Sequence, residues 1–200
     1  MKFYKFISVI LHPVVIPTIG CILYFLLLPN TNISSEYKLS LLSLVFISTY
    51  LVPVVLLVLL KKLKLIQSFK TETIKERKLP VAVMIVLFYL LGNTLSSTSI
   101  FYDIGILFHA TSLGLFIIYI LFSFNFKTSI HLLSLGVATG FFLVMYNKHS
   151  PIFIVYVILF MFMSGILANA RLHLNAHTSK EVYTGFILGL ITPVATAYFL

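Results

Sequence analysis

The chain has 200 residues, 60% of them hydrophobic and only 10% charged, with a net charge of +9 and a mean hydropathy of +1.09. A surface that faces water carries roughly a quarter charged residues, so the composition excludes an ordinary soluble domain. Lipid leaves only helices or a closed barrel as spanning structures, and the apolar runs here are continuous, without the alternation over about ten residues that marks barrel strands. The expected fold is therefore all-α, a single polytopic transmembrane helix bundle over residues 1–200.

A span needs about 20 mostly apolar residues, and about seven such runs follow one another. The first covers about Ile7 to Leu28. Lys2 and Lys5 before it resemble the start of a signal peptide, and Thr18-Ile19-Gly20-Cys21 resembles a lipoprotein cleavage site. His12, Pro13 and Pro17 interrupt the stretch, however, and Tyr24 to Leu28 continue it beyond that site, so a retained first helix is expected. Pro29-Asn30 is a turn signal. The second run extends from about Leu39 to Leu60 with a kink at Pro53, and a charged connection, Lys61 to Lys78, follows. The third starts at Leu79-Pro80 and fades near Asn93 to Ser99. The fourth covers about Ile104 to Phe124, the fifth about Ile130 to Tyr146, and the sixth Pro151 to about Asn169. The last begins near Glu181 and reaches Leu200. Cys21, the single cysteine, has no partner for an intrachain disulfide.

With seven spans, the N-terminus and the second, fourth and sixth connections share one side of the membrane. All Lys and Arg residues except Lys38 and Lys148 fall on it. Short basic loops stay cytoplasmic, which predicts an internal N-terminus and an external C-terminus. His131, His173, His177, Glu72, Glu76 and Glu181 gather on that same side, and ionisable residues at membrane depth generally mark function. The richest segment is Arg171 to Gly189. On a helix His177 and Glu181 lie one turn apart on one face. A carboxylate there can take the proton of one imidazole nitrogen and leave the other free to attack. Gly185 and Gly189 extend the same row, and small residues at this spacing let another helix approach closely.

This pattern (Arg171, five residues, His177, three residues, Glu181, then Gly185 and Gly189) resembles the last motif of type 2 phosphatidic acid phosphatases, membrane enzymes that share a fold with vanadium haloperoxidases. Ala170 stands where that family has serine, and Glu181 where it has aspartate. Thr128-Ser129-Ile130-His131 resembles the family's Pro-Ser-Gly-His motif. Lys70 and Arg77 have the spacing of its first motif, with Lys78 and Leu79 inserted before Pro80. The resemblance covers residues 70–189 and a six-helix core. It implies a metal-free phosphatase working through a phosphohistidine, with His177 as nucleophile, Glu181 orienting it and His131 protonating the leaving alcohol. Arg171, Arg77, Lys70 and Ser129 would hold phosphoryl oxygens, with Lys127 a further contact. Arginine suits such a role because its planar fork binds phosphate oxygens in pairs, and phosphoryl transfer rests on positioning and charge neutralisation.

A phosphate at headgroup depth makes a lipid phosphate or diphosphate the expected substrate, in a multi-pass protein of a bacterial plasma membrane. Bacterial relatives of that family place the site outside the cytoplasm, against the charge rule. Lys61, Lys62 and Lys64 read as a solvated loop near anionic lipid. His173 either lines the site or faces water, His12, His109 and His149 read as structural, and Asp103 as a helix-start cap. The histidines follow no metal-site spacing, no cofactor is expected, and the net charge needs no nucleic acid to explain it. Two alternatives stand beside the phosphatase: an inactive member of the same fold that serves as a lipid-binding or structural membrane protein, and a small transporter or channel, which would place polar residues at midspan of several helices.

Overall fold

The computed structural model describes residues 1–27, 33–69 and 73–200. Among these, six helices are long and apolar enough to cross a membrane. They are α3 (Ser35–Lys62), α4 (Ile74–Ser96), α5 (Tyr102–Phe124), α6 (Ile130–Lys148), α7 (Pro151–His173) and α8 (Ser179–Phe199). The protein is a helical membrane bundle. Two-thirds of the apolar window of α6 is buried (67%), against 28% in α3, α4 and α7. α6 is thus central, and those three present most of their apolar surface outward, toward lipid.

The first apolar run departs from expectation. It forms α1 (Lys2–Ile10) and α2 (Ile16–Leu27) rather than one continuous helix. Pro13 disfavours helical geometry at His12 and supplies no N–H, and the His12 ring accepts the Val14 amide across the break. With 12 residues α2 is about 18 Å long, short of a full span. The pair nevertheless runs from one end of the bundle to the other. Tyr4 of α1 stacks on His173 at the end of α7, whereas the Tyr24 hydroxyl of α2 donates to Asp103 at the start of α5, 2.8 Å away.

Other elements follow from their local chemistry. Pro53 cannot donate to the carbonyl one turn back, and α3 accommodates it through a π-turn over Ile47–Leu51 in which the Val52 amide reaches Ile47. α4 starts five residues before the expected Leu79, because Thr73 and Glu76 form a capping box. This puts Arg77 on the first turn of a helix and leaves Pro80 inside it. Asp103 is not the N-cap of α5, a position held by Phe101. Its carboxylate instead accepts from Tyr24, from Lys148 Nζ at 2.6 Å and from His149 Nε2 at 2.6 Å, tying α2, α5 and the end of α6 together.

α6 and α8 cross with their backbones in contact. A Cβ on Gly185 would meet the Ser129 carbonyl at 2.5 Å, and one on Gly189 would meet the Val137 amide at 2.8 Å. The glycine row expected to admit a close neighbour does so, and that neighbour is α6. The crossing sets the N-terminus of α6 beside the first turn of α8. Within the spans, Thr111, Thr139, Ser164 and Thr192 donate to carbonyls of their own helices. These midspan hydroxyls are accounted for without a polar path.

Candidate active site

Three helix ends converge on one side of the bundle. α7 ends in a turn whose Asn175 adopts a left-handed conformation (φ 49°), and the Ala176 amide reaches back to the Arg171 carbonyl at 3.1 Å. This closure is of the Schellman kind, with Asn supplying the αL residue. It leaves Arg171 on the last turn of α7 and brings His177 immediately before Thr178, the N-cap of α8. The five residues between arginine and histidine are therefore one helix exit plus one turn.

The next four residues set the imidazole. Thr178 and Glu181 form a capping box, with the Glu181 amide donating to Thr178 Oγ1 and the Thr178 amide donating to Glu181 Oε2 at 3.0 Å. The same Oε2 lies 3.0 Å from His177 Nδ1, and the Lys127 carbonyl lies 3.1 Å from that nitrogen. Both partners can only accept, so Nδ1 carries the proton and Nε2 keeps its lone pair in the neutral ring. The His177 side chain is 1% exposed, and Nε2 is buried with no hydrogen-bond partner among the described residues. The longer arm of glutamate has a reason here: one carboxylate oxygen closes the capping box and orients the histidine at once.

α6 contributes from the other side. The Ser129 amide donates to the Glu181 carbonyl at 3.1 Å, which locks the α6 N-terminus to α8. Ser129 occupies the N-cap position without using its hydroxyl as a cap. Ser129 Oγ, Thr128 Oγ1 and Arg171 Nε are buried without a partner among the described residues, as is His177 Nε2. The free amides of the α6 N-terminus add partial positive charge. His131, on the first turn of α6, lies within the electrostatic reach of Arg171 and His177.

Arg77 enters from α4, its charge acting on both His177 and Glu181. Burial, then the Arg171 and Arg77 charges, push the His177 pKa below the ordinary histidine value, and the Glu181 hydrogen bond and charge only partly oppose them. The nucleophilic form is thus the resting form at neutral pH. A set of buried donors, two guanidiniums and one unprotonated ring nitrogen can bind a tetrahedral oxyanion and attack its central atom. Among the described residues no group of three His, Cys, Asp or Glu could hold a metal ion.

The expected residues Arg77, Ser129, His131, Arg171, His177 and Glu181 are brought together. Lys127 reaches the site through its backbone carbonyl, and Lys70 lies outside the described residues. His173 stacks on Tyr4 at 4.4 Å. Sequence reasoning missed the contribution of the N-terminal segment to the site. Ser8 accepts from Arg171 Nη1 at 2.8 Å, and His12, read as structural, sits edge-on to His131 at 5.0 Å. The only sign of this in the sequence is that Ser8 is the one polar residue between Lys5 and His12. Comparison of the chain with protein-family models, with curated proteins and with solved structures finds no match.

Proposed function

We propose that this protein is a phosphatase of membrane-borne phosphate esters or diphosphates, a divergent member of the type 2 phosphatidic acid phosphatase superfamily, acting through a phosphohistidine. The observation that carries the reading is His177: Nδ1 is held by Glu181 and the Lys127 carbonyl, while Nε2 is buried, without a partner among the described residues, within reach of the Arg171 charge. In the first step the Nε2 lone pair attacks phosphorus. The P–N bond forms as the P–O bond to the alcohol breaks, and His131 gives the departing oxygen its proton. In the second, His131 takes a proton from water, whose oxygen attacks phosphorus and releases phosphate from Nε2. Arg171, Arg77, the Ser129 hydroxyl and the α6 amides neutralise the equatorial oxygens. The dianion they bind also favours the protonated imidazole that His131 needs for the first step. The site lies where helix ends meet on one side of a membrane bundle, the depth of a lipid headgroup, which favours a lipid substrate over a free metabolite.

The test is phosphate release by the purified protein in detergent against a panel of lipid phosphates and p-nitrophenyl phosphate. His131→Ala is expected to slow lipid phosphate hydrolysis about 10²- to 10⁴-fold, the range for a general acid, while sparing p-nitrophenyl phosphate, whose leaving group needs no proton. Equal losses on both substrates would remove His131 from the acid role. A folded protein that releases phosphate from none of them would overturn the phosphatase reading in favour of a lipid-binding relative.

We further propose that the site faces the cytoplasm of a bacterial cell, since basic residues crowd its side of the bundle. Cysteines placed at Lys62 and at Glu36, exposed at opposite ends of α3, should be labelled in intact cells by an impermeant reagent only at position 36. Labelling at 62 alone would reverse the orientation.

A further inference from the structure

The N-terminal segment touches the site through Ser8 and His12. α1 ends at Ile10, so its last carbonyls lack the full set of helical partners. The Leu11 amide returns to Ile7. The Ser8 hydroxyl, meanwhile, accepts from Arg171 Nη1 at 2.8 Å. Ser8 is 8% exposed, and Phe3, Phe6, Val9 and Ile10 on the rest of α1 are exposed. His12 closes the same corner, its ring edge-on to His131 at 5.0 Å.

We infer that Ser8 is a positioning residue of the phosphatase site, setting Arg171 through its hydroxyl. This rests on the proposed phosphatase reading and extends it to a helix outside all three motif segments. The hydroxyl fixes one arm of the guanidinium fork, so that Nε, buried and without a partner among the described residues, keeps its aim at a phosphoryl oxygen. The α1 C-terminus also presents partial negative charge to the Arg171 guanidinium. The outward apolar face of α1 keeps it against the membrane, so the site is complete only where the helix is seated.

The experiment compares wild type, Ser8→Ala and Ser8→Thr in detergent by steady-state phosphate release and by calorimetric binding of inorganic phosphate. Alanine is smaller and a better helix former, so the fold is expected to hold, and thermal melting checks it. Ser8→Ala should raise KM and the inorganic phosphate Kd together by about tenfold, the effect of one lost charged hydrogen bond, with a smaller change in kcat. Ser8→Thr, which keeps the hydroxyl, should restore both. Unchanged KM and Kd in Ser8→Ala would overturn the role, and so would equal impairment in the two variants. If wild type releases no phosphate yet binds it, and Ser8→Ala binds it tenfold more weakly, the phosphatase reading fails while the role of Ser8 at Arg171 stands. If wild type neither releases nor binds phosphate, both fail.

Discussion

His177→Ala is expected to reduce phosphate release by about 10⁴- to 10⁶-fold, as removal of a nucleophile does when the rest of the site stays in place. Among the described residues, Glu181 is held by the Thr178 amide, and His131 stands on the first turn of the opposite helix. The substitution should leave the fold intact, because Glu181 keeps its capping box and the α6–α8 crossing rests on Gly185, Gly189 and Gly136, away from the imidazole. A rapid alkaline quench with radiolabelled substrate should trap label on wild-type protein as a base-stable, acid-labile adduct, the behaviour of a phosphoramidate. The same quench should trap none on His177→Ala. Label that persists in the variant would mean that phosphorus is attacked by another group, and turnover within tenfold of wild type would exclude the phosphohistidine route altogether.

The membrane bundle was legible because it depends on composition and run length, which survive any detail of packing. A close helix neighbour for the row of Gly185 and Gly189 was also legible from their spacing, but not that the neighbour would be α6. Arg171, His177 and Glu181 were readable for a local reason: a helix exit, a turn and a helix entry have nearly fixed lengths, so the chemistry is written at fixed intervals. Helix starts were less legible. The Thr73–Glu76 box lies in a stretch of charge that reads as loop, and only the observed cap shows that α4 begins there. The first apolar run has the length of a span, and His12-Pro13 marked an interruption without saying that the chain would divide into two helices. Ser8 and Asp103 were beyond reach for another reason. Their partners (Arg171 for one; Tyr24, Lys148 and His149 for the other) lie far away in the chain, and nothing local encodes such pairings.

Glu181→Gln should cost about 10³-fold in kcat/KM, within the range for losing one preorganised electrostatic contact. The amide oxygen can take the place of Oε2 and keep both hydrogen bonds, from Nδ1 and from the Thr178 amide. The carboxylate, however, stabilises the positive charge that develops on the ring as phosphorus is captured, and the neutral amide cannot. The pH dependence follows with a definite sign. His177 already titrates below the ordinary histidine value, through burial and the Arg171 and Arg77 charges, with Glu181 pulling the other way. Activity should therefore rise on an acid limb lying below about pH 6.5, and Glu181→Gln should move that limb to still lower pH. Linkage gives the same direction for stability. The unfolded histidine binds its proton before the folded one, so stability present above about pH 6.5 is lost as pH falls toward the folded value. In Glu181→Gln that loss should continue to lower pH. Glu181→Asp tests the arm length: aspartate cannot serve both the Thr178 amide and His177 Nδ1, and a loss of about 10²-fold is expected from the displaced ring. Rate profiles of the three proteins between pH 4 and 9 would decide. An acid limb that moves upward in Glu181→Gln, or a loss smaller than in Glu181→Asp, would show that Glu181 serves the α8 cap and not the nucleophile.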